Sequence, residues 1–82
     1  MRMEQKISVL RDSRAQYLVT RYLVPGDVVL LRGGDVIPAD MDWMEGDTLS
    51  MDTSSLTGES VPRKYPSEQH GRRIYSGFTV LS

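Results

Sequence analysis

Apolar and polar residues alternate in short runs along this chain, and turn-forming residues separate the runs. The first run, KISVLRD at 6–12, alternates around Ile7, Val9 and Arg11 and ends in a turn at Asp12 and Ser13. The second run, AQYLVTRYLV at 15–24, is rich in Tyr, Val, Leu and Thr. Such residues favour extended structure, so we predict two strands that pair as a hairpin. A helix over 15–24 is the alternative, which this composition and the following proline disfavour.

The middle of the chain continues the period of two. VVLL at 28–31 predicts a buried strand. The alternation in ADMDWMEGD places Met41 and Trp43 on one face of a further strand, with Trp43 in the core. Leu49 and Met51 are predicted to point inward from the strand after it.

Turns and prolines divide these segments. Pro25-Gly26-Asp27 and Gly33-Gly34-Asp35 predict turns. Residues 61–73 predict a polar connection that contains proline, and IYSGFTVL at 74–81 predicts the last strand. Several short strands separated by turns indicate an all-β fold, barrel-like or sandwich-like, with little or no helix.

Length and composition narrow the possible functions. With 82 residues the chain is expected to be a single small domain (1–82), and it has no cysteine for a disulfide or a thiolate metal site. No apolar run approaches the ~20 residues that cross a bilayer. Residues 24–59 carry eight acidic groups and one basic group, whereas both flanking segments are basic. Because basic residues are not gathered on one surface, we expect no nucleic-acid partner.

The segment DTSSLTGES carries the strongest candidate for chemistry. Glu59 cannot complete a helix capping box, because Leu56 rather than Ser or Thr stands three residues before it. We therefore predict that its carboxylate lies on a loop. Gly58 lets another chain approach closely, and the hydroxyls of Thr57 and Ser60 can hold the loop or a nearby water. On the residues alone, a solvated polar loop and a catalytic loop both stay open.

Two other patterns do not predict ligand sites. Counted from Asp40, a calcium loop would need Asp or Asn, then Gly, and finally Glu at the places where this chain has Met44, Glu45 and Met51. Gly33–Asp35 lacks the Gly-Lys-Ser/Thr that follows in a phosphate-binding loop. The single histidine, His70, argues against a multi-histidine zinc site.

Three motifs occur in a characteristic order: Pro-Gly-Asp at 25–27, GDVIPAD at 34–40, and LTGES at 56–60 preceded by Asp52. In these motifs the chain closely resembles the actuator domain of P-type ATPases, and IYSGFTV resembles the strand that follows in that family. The resemblance is specific and covers about residues 20–82. It implies a small, distorted jelly-roll or barrel-like domain.

The resemblance also implies a mechanism. In this family a phosphorylation domain forms an aspartyl-phosphate from ATP, and the actuator then carries its TGES loop into that site. Glu59 is expected to orient and deprotonate the attacking water, Gly58 to allow close approach, and Thr57 and Ser60 to hold the loop. Further residues are expected to contribute to docking: Arg63, Lys64 and Asp52.

The likeness extends to the kind of pump. IPAD, EGD and LTGES followed directly by VP look most like plasma-membrane proton pumps, with another cation such as calcium as the alternative.

An alternative of another class is a plain β module that binds a protein partner. The resemblance implies the phosphorylation and nucleotide-binding domains and the membrane helices of the same chain as partners.

The chain lacks the Asp-Lys-Thr-Gly motif of the phosphorylation domain. We therefore expect a cytosolic piece of a larger membrane protein, inactive by itself and without its own cofactor. ATP and Mg²⁺ would then bind elsewhere in the full-length pump. The family's last sheet strand is expected to be missing, and the open edge would favour self-association.

Overall fold

A computed structural model describes residues 4–59 and 61–82. In that part of the chain there are eight short β-strands, one 3-10 turn and one four-residue helix. The strands form three small antiparallel sheets. The predicted all-β class, with almost no helix, is confirmed. The chain divides into two compact units, Met1–Leu31 (unit 1) and Arg32–Ser82 (unit 2).

Unit 1 contains one sheet with strand order β2-β1-β3. The predicted hairpin is confirmed: β1 (Lys6–Arg11) pairs with β2 (Arg14–Val19). Asp12 and Ser13 form the turn with φ values of 50° and 62°, a region that Asp tolerates better than most residues. On its other side β1 pairs with β3 (Val28–Leu30).

Two predictions for unit 1 are wrong. The second strand ends at Val19 instead of reaching residue 24, because Thr20–Tyr22 forms a 3-10 turn closed by the Leu23 N–H on the Thr20 carbonyl. VVLL is not a buried strand, since Val28 is 36% exposed and the two residues after it are half-buried. The reason is position: β3 has one neighbour, whereas the central strand β1 holds the buried side chains of the unit.

The predicted Pro-Gly-Asp turn is confirmed and is tied to β1. Asp27 accepts two hydrogen bonds from the Arg11 guanidinium, at 3.0 Å from Nε and 2.7 Å from Nη2. It also accepts the Val24 N–H at 2.9 Å. The Arg11 hydrogen bonds, and then the Val24 N–H, hold the pKa of Asp27 below its usual value. The turn is therefore fixed to the end of β1 by a forked, charge-assisted contact.

Unit 2 contains two sheets of short strands. One sheet has the order β6-β5-β8 and the other pairs β4 with β7. The strands are β4 (Met41–Asp42), β5 (Leu49–Asp52), β6 (Arg63–Tyr65), β7 (Arg73–Ile74) and β8 (Thr79–Val80).

The structure corrects two predictions at the end of the chain. Residues 61–73 are not merely a polar connection, because they contain β6 and the start of β7, and Tyr65 is fully buried. IYSGFTVL is not one strand either. Gly77 takes φ +92°, which breaks the extended backbone and turns the chain between β7 and β8.

Trp43 is half-buried and does not belong to the core, contrary to prediction. Its ring lies 5.7 Å from the Arg72 guanidinium carbon, in a cation–π contact at the surface. Met51 is fully buried as predicted, whereas Leu49 is half-buried. The fully buried hydrophobic side chains of unit 2 are Ile37, Met51, Tyr65, Ile74, Phe78 and Val80.

Candidate functional site

The segment that leads to Glu59 starts from the middle of a sheet. β5 (Leu49–Asp52) is paired on both sides, and Met51 and the following Thr53 are buried. The chain then forms the single helical turn α1 (Ser54–Thr57), which sequence patterning did not predict. The candidate carboxylate thus follows directly from a buried central strand, through one turn of helix.

The first end of α1 is held by Asp52. Its Oδ1 accepts the Ser54 N–H at 2.9 Å, whereas Thr53 at the N-cap position makes no side-chain capping bond. The Ser54 N–H, and then the Ser54 hydroxyl, lower the pKa of Asp52. Asp52 was predicted to contribute to docking. In the structure its carboxylate stabilises the start of α1 within the domain.

The other end of α1 depends on Gly58. This residue takes φ 74° and ψ −3°, and its N–H donates to the Ser54 carbonyl at 2.9 Å. A left-handed residue of this kind commonly ends a helix, and glycine adopts it without a Cβ penalty. A Cβ on Gly58 would meet nothing within 4 Å, so in the domain by itself glycine is required for the backbone angle rather than for space.

The hydroxyl of Thr57 fixes the backbone on both sides of Gly58. Its Oγ1 accepts the Glu59 N–H at 3.1 Å. The same oxygen lies 3.3 Å from the Thr53 carbonyl and 3.4 Å from the Glu59 carbonyl, to which it can donate. The backbone of Glu59 is therefore held by a local side-chain contact, and the residue itself is exposed.

The predicted position of Glu59, on a loop outside any helix, is confirmed. Ser60, the remaining predicted member of the TGES loop, lies outside the described residues. An exposed carboxylate on a fixed backbone can accept a proton from water or meet a cationic group of a partner. In residues 4–59 and 61–82, no group of three or more His, Cys, Asp or Glu side chains could hold a metal ion.

The two basic residues predicted to aid docking differ in their surroundings. Arg63 is half-buried, and its guanidinium carbon lies 5.9 Å from the centre of the buried Phe78 ring. Lys64, the next residue on β6, is exposed. Arg63 therefore contributes to packing within unit 2, while Lys64 presents its charge to solvent.

The sequence contains a local signal for α1. Asp52 followed two residues later by Ser54 is a spacing that forms side-chain-to-backbone turns, and Gly58 stands where a helix that starts at Ser54 would end after one turn. Together, these features predict a capped helical turn.

Within residues 4–59 and 61–82, no helix has both the length and the apolar character needed to span a membrane.

Comparison with known proteins agrees with these motifs. The sequence model of the P-type ATPase actuator domain matches residues 2–82. A protein of Methanocaldococcus jannaschii that is named as a cation-transporting ATPase is 47% identical over 72 residues, which cover 88% of this chain and 9% of that protein. The chain thus spans a small part of this relative. Because the match includes nearly every residue of both units, the chain belongs to the P-type ATPase actuator domain family.

Proposed function

We propose that this chain is the actuator domain of a P-type cation-transporting ATPase and that Glu59 activates the water that hydrolyses the aspartyl-phosphate intermediate. The observation that carries the proposal is the construction of the site. An exposed Glu59 follows Gly58 in a backbone held by the Thr57 hydroxyl. General-base catalysis needs a carboxylate in a defined place that can still enter another domain's site.

The proposed step is a hydrolysis at phosphorus. Glu59 accepts a proton from water while the water oxygen bonds to phosphorus. The bond between phosphorus and the aspartyl oxygen breaks, and its electron pair returns to the aspartate carboxylate. Inorganic phosphate leaves. Positioned bases contribute typically ~10²–10⁴-fold to such steps.

The neighbouring residues have supporting roles in this proposal. Thr57 and Ser60 hold the loop, and Gly58 sets the backbone angle and lets the loop approach the phosphorylated site. Lys64, which is exposed, is placed to contact an acidic partner surface. Arg63 and Asp52 support docking indirectly, through their contacts within unit 2.

The setting of the domain is also part of the proposal. The other partners are the phosphorylation and nucleotide-binding domains and the membrane helices of the same full-length pump, to which the actuator's movement is coupled. There, ATP supplies the phosphoryl group and Mg²⁺ neutralises its charge. The actuator is then a cytosolic domain of a membrane protein. The motifs favour protons as the cargo and the plasma membrane as the location.

Two alternatives differ in what they predict. A pump for another cation agrees equally with the relative's name, and ion-dependent phosphoenzyme turnover in the full-length pump distinguishes the cargo. A non-catalytic β interaction module would need no carboxylate at residue 59. Replacing Glu59 therefore separates the catalytic from the non-catalytic function.

The test is a chase of radiolabelled phosphoenzyme in the full-length pump that carries this domain. Glu59→Gln keeps size and hydrogen bonding but removes the base, so phosphoenzyme should form from ATP and decay ~10²–10⁴-fold more slowly. Glu68→Gln is the matched control, because Glu68 is also an exposed glutamate of unit 2. Equal decay in both variants and in wild type would refute the proposal.

A further inference from the structure

Two conspicuous parts of the sequence have no role in the proposed chemistry: Asp40, which ends the GDVIPAD motif, and Gly77 in the turn between β7 and β8. Both lie in one chain of contacts that leads to α1. We propose that Asp40 and Gly77 are positioning residues, which fix α1 and thereby the place of the Glu59 carboxylate. This inference rests on the proposed function of Glu59.

α1 (Ser54–Thr57) needs such support. Isolated helices shorter than ~12 residues are marginal in water, and α1 has four residues, none of them buried. Its own side chains therefore cannot anchor it in a core. Asp52 and Gly58 satisfy its ends, but these contacts are local in sequence and do not hold the turn against the rest of unit 2.

Gly77 provides a contact that is distant in sequence. A Cβ built on Gly77 would lie 3.2 Å from the Ser55 Oγ and 3.6 Å from the Ser55 Cβ. The first distance is shorter than an ordinary van der Waals contact, so the Ser55 side chain already occupies the space beside Gly77. α1 thus contacts the turn through Ser55, and a Cβ at residue 77 would require the Ser55 side chain to move by a few tenths of an ångström.

The turn beneath α1 is itself firmly held. The Gly77 N–H donates to the Ile37 carbonyl at 2.8 Å, and the Ile37 N–H donates to the Phe78 carbonyl at 2.7 Å. Ile37 and Phe78 are both fully buried or nearly so. The Ser76 N–H donates to Asp40 Oδ1 at 3.0 Å. Asp40 lies three residues after Ile37, so the same short segment accepts hydrogen bonds from both Ser76 and Gly77 in the turn.

The consequence for the site is geometric. Ser55 stands four residues before Glu59, with the last two residues of α1 and Gly58 between them. A movement of Ser55 would therefore also move Glu59, because the segment between them is short and hydrogen-bonded. Since a misplacement of ~1 Å can cost ~10²-fold in rate, a shift of a few tenths of an ångström is enough to slow hydrolysis.

The main experiment measures phosphoenzyme formation and decay in the full-length pump with Gly77→Ala. The matched control is Gly34→Ala, because Gly34 has φ +93° against +92° for Gly77 but no atom within 4 Å of its Cβ position. Both variants place an alanine at nearly the same positive φ, and only at residue 77 would its Cβ contact α1. We expect phosphoenzyme to form in both. Its decay should slow by about 10-fold or more in Gly77→Ala and by less than about 3-fold in Gly34→Ala.

A second arm tests the contact itself. Ser55→Ala removes the oxygen at 3.2 Å and leaves the carbon at 3.6 Å. Adding it to Gly77→Ala should therefore restore decay by at least about 3-fold, which is the signature of coupling between neighbours. Backbone strain or general destabilisation would not be relieved in this way.

A third arm tests Asp40 and also decides the matter if Gly77→Ala does not accumulate in membranes. Asp40→Ala removes the acceptor of the Ser76 N–H and should slow decay by about 3- to 10-fold, whereas Asp40→Asn keeps an oxygen there and should stay near wild type. Equal rates for Gly77→Ala and Gly34→Ala, no rescue by Ser55→Ala, or equal rates for both Asp40 variants would overturn the inference. Glu59→Gln is measured in parallel: if its decay is also normal, the proposed function fails rather than the positioning role.

Discussion

Unit 1 and unit 2 hold their backbones by different means. Unit 1 is a three-stranded sheet in which β1 and β2 pair over six residues each. Unit 2 has strands of two to four residues, and its chain changes direction at Gly34, Gly46, Gly58, Gly71 and Gly77, all with positive φ. Unit 2 nevertheless contains six of the eight fully buried hydrophobic side chains of the described residues.

The difference shows how a small β domain can carry a site. A regular ladder fixes its residues by repetition, and every side chain then has a place on one of two faces. Short strands that end in anchored turns leave exposed segments whose positions are set individually. Glu59 lies on such a segment, directly after the buried end of β5 and the single turn α1. The proposed site therefore lies in the irregular unit and is supported by the core of that unit.

The largest stability effect should come from the core of unit 2. Phe78 is fully buried, packs edge-on against Tyr75 at 5.8 Å between ring centres, and lies beneath Arg63. Phe78→Ala should lower the free energy of unfolding by about 3–5 kcal/mol, because it removes this packing and leaves a cavity. Urea unfolding of the chain, followed by circular dichroism, measures the loss.

A conservative change in the core of unit 1 sharpens the comparison. Ile7→Val removes one buried methylene from β1 and should cost about 0.5–1.5 kcal/mol. If Phe78→Ala cost no more than Ile7→Val, the core of unit 2 would not be the main support of the turns, and the contrast between the units would be wrong.

A pH dependence is expected from the ion pair of unit 1. The Arg11 guanidinium lowers the pKa of Asp27 in the folded chain, so between that pKa and the ordinary value the unfolded chain binds more protons. The stabilisation is therefore complete above about pH 5 and is lost as the pH falls below the ordinary aspartate pKa of about 3.9 and through the lower folded value.

Asp27→Asn isolates this contribution. Urea midpoints of wild type and variant should differ at pH 7 and converge as the pH falls toward about 2. Asp52 also has a lowered pKa, but it is present in both proteins and cancels in the difference. A gap between the two midpoints that stayed constant across this range would contradict the assigned cause.

The smallest effect is expected at Tyr65. Its side chain is fully buried, and its hydroxyl has no hydrogen-bond partner in the part of the chain that the structure describes. Tyr65→Phe removes a buried polar group while keeping the ring, so the free energy of unfolding should stay the same or rise by about 1 kcal/mol. Thermal unfolding of wild type and Tyr65→Phe measures this change. A free energy of unfolding that falls in the variant would mean that the hydroxyl stabilises unit 2.

The sequence predicted regular structure better than irregular structure. The hairpin of unit 1 and the Pro-Gly-Asp turn follow from local alternation and turn chemistry, and both are confirmed. The break at Gly77 and the burial of Tyr65 do not, because they depend on contacts with Ile37 and with residues of β5, which are distant in sequence. Local patterning carries no information about such partners.

The site shows the same division. The loop position of Glu59 follows from the absent capping box and is confirmed. The helical turn before it was missed, since a four-residue helix is too short to show a period of 3.6. Trp43 was predicted to lie in the core because the alternation places it on one face with Met41, but it is half-buried and contacts the Arg72 guanidinium at the surface.

The most direct test of the central claim is oxygen exchange between ¹⁸O-labelled inorganic phosphate and water, catalysed by the full-length pump with Mg²⁺ and without ATP. Formation of the aspartyl-phosphate from inorganic phosphate and its hydrolysis pass through the same water-transfer step in opposite directions, so exchange requires that step. We expect exchange near the wild-type rate in Glu68→Gln and ~10²–10⁴-fold slower exchange in Glu59→Gln. Exchange at the wild-type rate in Glu59→Gln would contradict the assignment of Glu59 as the base.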